Sequence, residues 1–389
     1  MSSKLLIADI RQRETLRPLA AGALLYTIGP AAIMLMPMIV GVYVDAMGFS
    51  GRESGFLASA EAAGMAIASV LAIFWVRRLN WQRVALFGIA LSVVANLLAT
   101  GIDGFLPMVC CRIAASTGAG TAFAVSVASL AERREPERAY GVGLVVETAM
   151  VILMIALSPL VIERWASDGI FYMLALLGII VALPILWLPK RSEKLQQIER
   201  EKMSKAVPNF GPIMVVLLAT LIHFIGTVGF WTYLERIADA AGHSTAYIGT
   251  VLALGLGAGL PGAAVAALLG DRLGFAWPFI TSTLVLVGAV VLAVGNINAL
   301  VLAICAISFS FMWILASTYQ FALMARLDAG GSLVVLMPAA SGVGGMAGPA
   351  LAAVLITESN YLPVNVMAGA CFIISLCLFL IVLPRLKAC

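Results

Sequence analysis

Four ionisable side chains interrupt long apolar runs of this 389-residue sequence: Glu61, Arg112, Glu147 and His223. A carboxyl group takes or releases a proton, an arginine compensates a carboxylate or anchors an anion, and a histidine changes charge near neutral pH. Glu61 and Arg112 each lie seven residues past the outer end of their own runs, about 10 Å deep at 1.5 Å per residue. Equal depth suits an ion pair, which lowers the cost of burying each charge. Either Glu61 gives up that pairing or its proton in a working cycle, or the pair is static and locks helix packing. Glu147 enters five residues past the opposite end of its run, as an inner proton site or as a carboxylate favoured by a helix dipole. His223 falls eleven residues into its run, about 16 Å deep. There it is a titrating group, or a neutral ring hydrogen-bonded to a carbonyl.

The elements that must hold these groups follow from composition. Hydrophobic residues make up 62% of the chain and charged residues 11%, the latter less than half the roughly 25% of soluble domains. That balance excludes a soluble globule, a nucleic-acid binder and a disordered chain. Divided among membrane helices of about 20 residues, the apolar residues fill about twelve. Spans are predicted near 18–43, 54–76, 84–101, 105–130, 142–162 and 170–189, then near 212–234, 246–270, 276–295, 299–325, 333–357 and 364–384. In such a setting a buried charge costs roughly 2.5 to 3.5 kcal/mol on insertion scales, so each of the few needs a reason.

The net charge of +4 matters less than its placement. With the N-terminus inside, twenty of the 24 Lys and Arg residues fall in cytoplasmic segments, Arg52, Arg164 and Arg236 fall in external loops, and Arg112 lies within a span. That asymmetry puts both termini in the cytoplasm. Residues 1–17 read as a retained cytoplasmic arm, 18–189 as one six-helix half, 190–211 as a basic surface linker, 212–384 as a second six-helix half and 385–389 as a cytoplasmic tail. An internal repeat supports the division: Asp45-Ala46-Met47-Gly48-Phe49-Ser50 recurs as Asp239-Ala240-Ala241-Gly242-His243-Ser244, an offset of 194 residues. At the same offset Gly55 matches Gly249, and Arg78-Leu79 matches Arg272-Leu273. Parallel six-span repeats are one transporter architecture, with the substrate site near the bilayer midplane.

The chain resembles the major facilitator superfamily from about residue 18 to 384. The family's loop signature, Gly-x-x-x-Asp-Arg-x-Gly, keeps its Asp271-Arg272-Leu273-Gly274 core in the second half, with Ala267 at the first glycine position. In the first half only the arginine of Val76-Arg77-Arg78-Leu79-Asn80 remains, and Arg77 stands where the aspartate belongs. Arg112-Ile113-Ala114-Ala115-Ser116-Thr117-Gly118 looks like the fourth-helix signature. The fifth-helix Gly-x-x-x-Gly-Pro of drug antiporters is replaced by Ser158-Pro159, while the same pattern stands in the eleventh helix as Gly344 to Gly348 and Pro349. The resemblance implies an all-α integral membrane fold of twelve helices in two pseudo-symmetric halves. It implies gating loops at Arg77, Arg78, Asp271, Arg272 and Gly274, and a cavity lined by the first, seventh and tenth spans. Their large polar or amphipathic groups are Tyr26, Trp231, Trp313, Tyr319 and Gln320. Interfacial belts also claim aromatic residues at helix ends, which would cover Trp231 and Tyr319. Gly344, Gly348 and Pro349, like Gly255-Leu256-Gly257-Ala258-Gly259, suit close helix packing. Pro30 and Pro37 should loosen the first span.

The expected activity is secondary active transport by alternating access of a small organic, weakly polar or anionic solute. Glu61 is the first candidate proton carrier, Arg112 its partner or a substrate anchor, and Arg112 with His223 suits one carboxylate. The absent fifth-helix signature favours proton-coupled uptake (symport), with proton-coupled drug or metabolite efflux as the alternative. Expected partners are the solute, protons and the lipid bilayer of a bacterial inner (plasma) membrane, for a monomer with no cofactor and no metal. A membrane-embedded enzyme would need a nucleophile, metal or acid-base set, but the chain has only two histidines and neither Gly-x-Ser-x-Gly nor His-x-x-x-His. A receptor would carry a longer polar domain. The six cysteines match no metal or redox spacing.

Overall fold

The computed structural model describes residues 16–76, 78–133, 136–191, 210–270, 272–295, 297–327, 336–357 and 360–384. Most of the arm, most of the linker, the tail, Arg77 and Asp271 lie outside them. The elements are helical: α1 Leu16–Met34, α2 Met36–Asp45, α3 Gly51–Trp75, α4 Trp81–Ala99, α5 Phe105–Ala131, α6 Pro136–Ala182, α7 Phe210–Ala240, α8 Thr245–Leu269, α9 Ala276–Leu292, α10 Ala299–Leu327, α11 Met337–Leu355 and α12 Leu362–Val382. Among the described residues ten helices are long and apolar enough to cross a membrane.

Local sequence sets the breaks. The helix loosens at Thr27 and at Leu35, each shortly before a proline that cannot donate to the ladder, Pro30 and Pro37. Helix α6 has 47 residues, about 70 Å if straight, more than twice the hydrocarbon thickness of about 30 Å. It is interrupted at Ala166, whose φ is 49°, a conformation uncommon for a residue with a Cβ. The two spans expected at 142–162 and 170–189 flank that break.

The repeated hexapeptide makes the same turn twice. Gly48 and Gly242 take φ of 72° and 86°, which glycine adopts without steric cost. Each following serine then caps the next helix. Ser50 Oγ accepts from Glu53 N at 3.2 Å while Glu53 Oε2 accepts from Ser50 N at 2.9 Å, a reciprocal capping box. Ser244 Oγ accepts from Tyr247 N at 3.4 Å.

The chain separates into two compact units. The first draws on Met1–Met34, Gly64–Val151 and Phe171–Met203, the second on Leu35–Ala63, Ile152–Ile170 and Ser204–Cys389. In the first unit α4 and α5 approach so closely that a Cβ on Gly88 would lie 2.6 Å from the Gly118 carbonyl. In the second, α8 meets α10, where a Cβ on Gly255 would lie 2.9 Å from the Ala306 carbonyl. Polarity is inverted relative to a soluble protein. Phe87, Leu106, Leu268 and Val366 are exposed, while Glu61, Arg112, Glu147, His223, Glu235, Arg236 and Gln320 are buried. Only an apolar solvent makes that arrangement favourable.

Candidate transport site

In the first unit Arg112 is held on α5 among the surfaces of α4 and α6. Its Nη1 donates to Asn96 Oδ1 at 2.8 Å, and its guanidinium lies 5.4 Å from the centre of the Phe171 ring. Asn96 in turn donates to the Ser92 carbonyl at 2.9 Å, so its amide is oriented before it meets the arginine. Asn96 escaped the sequence reading, although a lone amide four residues after Ser92 in an apolar run was the available signal.

Glu147 is only 7% exposed on α6 and has no ion-pair or hydrogen-bond partner among the described residues. It is the twelfth residue of a helix that starts at Pro136, about 16 Å from that end. A helix dipole acts within the first turn, so the dipole explanation for this carboxylate does not fit. Gly143, one turn earlier on the same face, packs against Tyr26, with a Cβ position 3.3 Å from the ring. Tyr26 itself stacks obliquely on Phe123 at 4.8 Å.

Glu61, in the second unit, is buried on α3 ten residues past Gly51. That is about 15 Å along its helix, deeper than the 10 Å expected from a span starting at 54.

The second unit gathers several of the expected cavity residues into one aromatic chain. Trp231 of α7 lies 6.2 Å from Trp313 of α10, Trp313 lies 6.2 Å from Phe309, Phe309 lies 6.3 Å from Phe372 of α12, and Phe372 lies 5.5 Å from His223. Phe309 and Phe372, the connecting links, carry no polar atom and gave no sign in the sequence. Trp231 is fully buried, so an interfacial belt does not account for it. His223 is buried near the middle of α7, and among the described residues its Nε2 has no hydrogen-bond partner. The carbonyl-bonded alternative for that nitrogen is therefore not what the structure contains. Gln320 of α10 is also buried, with no hydrogen-bond partner for Oε1 among the described residues.

Tyr319 has a different post. Its hydroxyl donates to the Gly270 carbonyl at 2.8 Å and its ring meets Phe275 edge-on at 6.0 Å, which ties α10 to the loop carrying Arg272 and Gly274. Gly274 takes φ of 62°, and Arg272 is exposed. In the first half Arg78 is exposed and Asn80, in place of that glycine, caps α4 by accepting from Arg83 N at 3.3 Å. The two loops thus start their next helices by different chemistry. Gly344 and Gly348 of α11 lie against α7, where a Cβ would collide with the Leu221 and Ile225 carbonyls. The Pro349 carbonyl faces Gly55.

One polar cluster was not anticipated. Helix α7 runs to Ala240, so Arg236 is not in a loop but buried within a helix, 5% exposed. It donates from Nη1 and Nη2 to Asp45 Oδ1 and Oδ2 at 2.7 and 2.6 Å, and from Nε and Nη2 to Glu235 Oε2 and Oε1 at 2.6 and 2.8 Å. Asp239 stands 3.7 Å away. Close by, Tyr233 Oη donates to the Gly51 carbonyl at 2.7 Å, and the Tyr233 ring lies 6.0 Å from Tyr361. Burial pushes the Tyr361 phenol above its ordinary value, so it stays neutral.

A multi-pass helical bundle with ionisable groups inside and apolar groups outside defines an integral membrane protein. The family model of the Major Facilitator Superfamily matches residues 19–328, and the chain belongs to that superfamily. It is therefore a secondary transporter of small solutes, not an enzyme. Solved structures share its fold at low identity. The nucleoside transporter NupG is 12% identical with a TM-score of 0.71, covering 95% of this chain and 98% of that one. The inward open xylose transporter XylE from E. coli is 14% identical with a TM-score of 0.70, covering 92% and 94%. A bacterial homologue of the iron transporter ferroportin in its inward-facing state is 17% identical with a TM-score of 0.71, covering 95% and 98%. No curated protein is significantly similar in sequence.

Proposed function

We propose that this protein couples a proton gradient to uptake of a small organic, weakly polar or anionic solute across a bacterial inner membrane, as a monomer with both termini in the cytoplasm. The observation that carries the reading is Glu147, a buried carboxyl that makes no ion pair or hydrogen bond among the described residues. Such a group is far cheaper to keep as the neutral acid than as the anion, and exposure to water during a transport cycle lets it release the proton. Glu61, buried on α3, is the second carboxyl for that task and the first reached from the outer face. Arg112 anchors an anionic group or compensates a carboxylate. His223 is a further titratable group beside the aromatic chain of Trp231 and Trp313. Large ring faces with few hydrogen-bonding atoms suit a compact aromatic or weakly polar solute better than a hexose. The similar fold of a D-xylose-proton symporter agrees with proton coupling, and the bias of Lys and Arg toward one set of loops supports the orientation.

The test has two stages. A thermal-shift screen of the purified protein identifies a solute that stabilises it. Flux of that solute is then followed in proteoliposomes under an imposed pH gradient. Accumulation driven by the gradient, lost in Glu147→Gln or Glu61→Gln, supports the reading. Gradient-insensitive flux, or full accumulation in both variants, overturns it. Movement of solute against the proton flow identifies efflux instead.

A further inference from the structure

We propose that Arg236 is a latch that closes the Asp45 end of the second unit, and that it opens by exchanging Asp45 for the repeat-related Asp239 while Glu235 keeps hold of it.

The guanidinium joins the two halves of the sequence. Asp45 ends α2, and Arg236 belongs to α7, 191 residues later. A two-pronged contact of 2.6 and 2.7 Å is the strongest geometry available to an arginine and a carboxylate. A transporter that alternates access must separate such contacts at one face whenever that face opens, and an arginine left buried without a counter-ion would oppose the motion. Here two further carboxylates are already in position. Glu235, adjacent on α7, donates no proton and accepts two of the arginine's own, so it travels with Arg236. Asp239 occupies the position that the internal repeat makes equivalent to Asp45, one helical turn beyond Arg236, at 3.7 Å in this structure. The arginine therefore stands between two aspartates related by the 194-residue offset, bonded to the one from the other half.

The surrounding packing is shaped for the same closure. A Cβ on Gly41 would come within 2.9 Å of the Glu235 carboxylate, and one on Gly55 would collide with the Tyr233 hydroxyl. Gly249, the repeat equivalent of Gly55, faces Pro159, with a Cβ position 3.0 Å from that ring. Each member of the glycine pair thus admits an element of the opposite half of the sequence. Asp45 is 60% exposed, so water can reach the bond that must break. Arg236 touches no solute in this scheme and acts as a positioning residue.

The experiment measures distances between spin labels at Ala46→Cys and Ala246→Cys, both exposed positions, in the full chain in nanodiscs with its native cysteines replaced. The expected result is one short distance in this background and in Asp45→Glu. Asp45→Asn and Arg236→Gln should add a longer distance, with the closed-to-open ratio falling about tenfold. Adding Asp239→Asn to Asp45→Asn should return molecules to the short distance, because the open state loses its acceptor. A purely structural contact would not give shifts of opposite sign. Unchanged distances in Asp45→Asn and Arg236→Gln overturn the latch, and a double variant as open as Asp45→Asn overturns the exchange. A monodisperse elution and native helix content show that the variants fold. The measurement involves neither solute nor proton, so its failure is distinct from failure of the proposed proton coupling.

Discussion

Glu147 and Glu235 are both buried carboxylates on long apolar helices, yet their surroundings make them opposites. Glu235 accepts two hydrogen bonds from Arg236, at 2.6 and 2.8 Å. Glu147 accepts none among the described residues. The first is a fixed anion whose charge is part of the structure. The second is buried with no such counter-ion, so the neutral acid is the cheaper form there, and the proposed proton coupling starts from that difference. Burial alone therefore does not nominate a proton carrier. What decides is whether a cation was buried with the carboxylate.

The largest effect that would break this contrast is expected from Arg236→Met. It leaves Glu235 buried without its counter-ion and should cost about 3 kcal/mol, read as a drop in the thermal unfolding midpoint in detergent. The double variant Glu235→Gln/Arg236→Met should recover much of that loss, because the uncompensated charge is gone. A double variant no more stable than the single would mean that packing, not charge, sets the cost. Next in size, Asn96→Ala should cost about 2 kcal/mol, since Arg112 loses a charge-assisted hydrogen bond inside the protein. The same unfolding assay checks it. The smallest effect on stability is expected from Glu147→Gln, under about 0.5 kcal/mol, because no bond is broken and the amide replaces a neutral acid of similar shape. That variant should nonetheless lose gradient-driven accumulation in proteoliposomes. If it unfolds as readily as Arg236→Met, the two glutamates do the same job and the contrast fails.

Substitution at the aromatic chain sharpens the picture from the other side. Trp313→Ala removes a ring that faces both Trp231 and Phe309. A solute bound on those faces should then give a smaller thermal stabilisation, while one anchored only by Arg112 should be unaffected.

How far the sequence could be read depended on whether each feature is local. Apolar runs are local, and so are the proline breaks before Pro30 and Pro37 and the glycine turns at Gly48 and Gly242. Helix ends were less legible. From sequence Arg236 reads as a loop residue, because a charged side chain usually ends a hydrophobic window; in the structure the helix continues through it to Ala240 and Asp45 partners it. Glu147 was visible in the sequence, but only the helix start at Pro136 removes the dipole explanation for it. Phe309 and Phe372 were invisible, since an apolar residue in an apolar helix carries no mark of what it touches.

The sequence by itself determined the class of protein, its superfamily and four of its buried ionisable groups, Glu61, Arg112, Glu147 and His223, because hydrophobicity and turn chemistry act over a few residues at a time. Only the tertiary structure decided which of those charges were compensated. A carboxylate's state depends on the groups within a few ångströms of it, and for Asp45 and Arg236 those groups come together across 191 residues of chain.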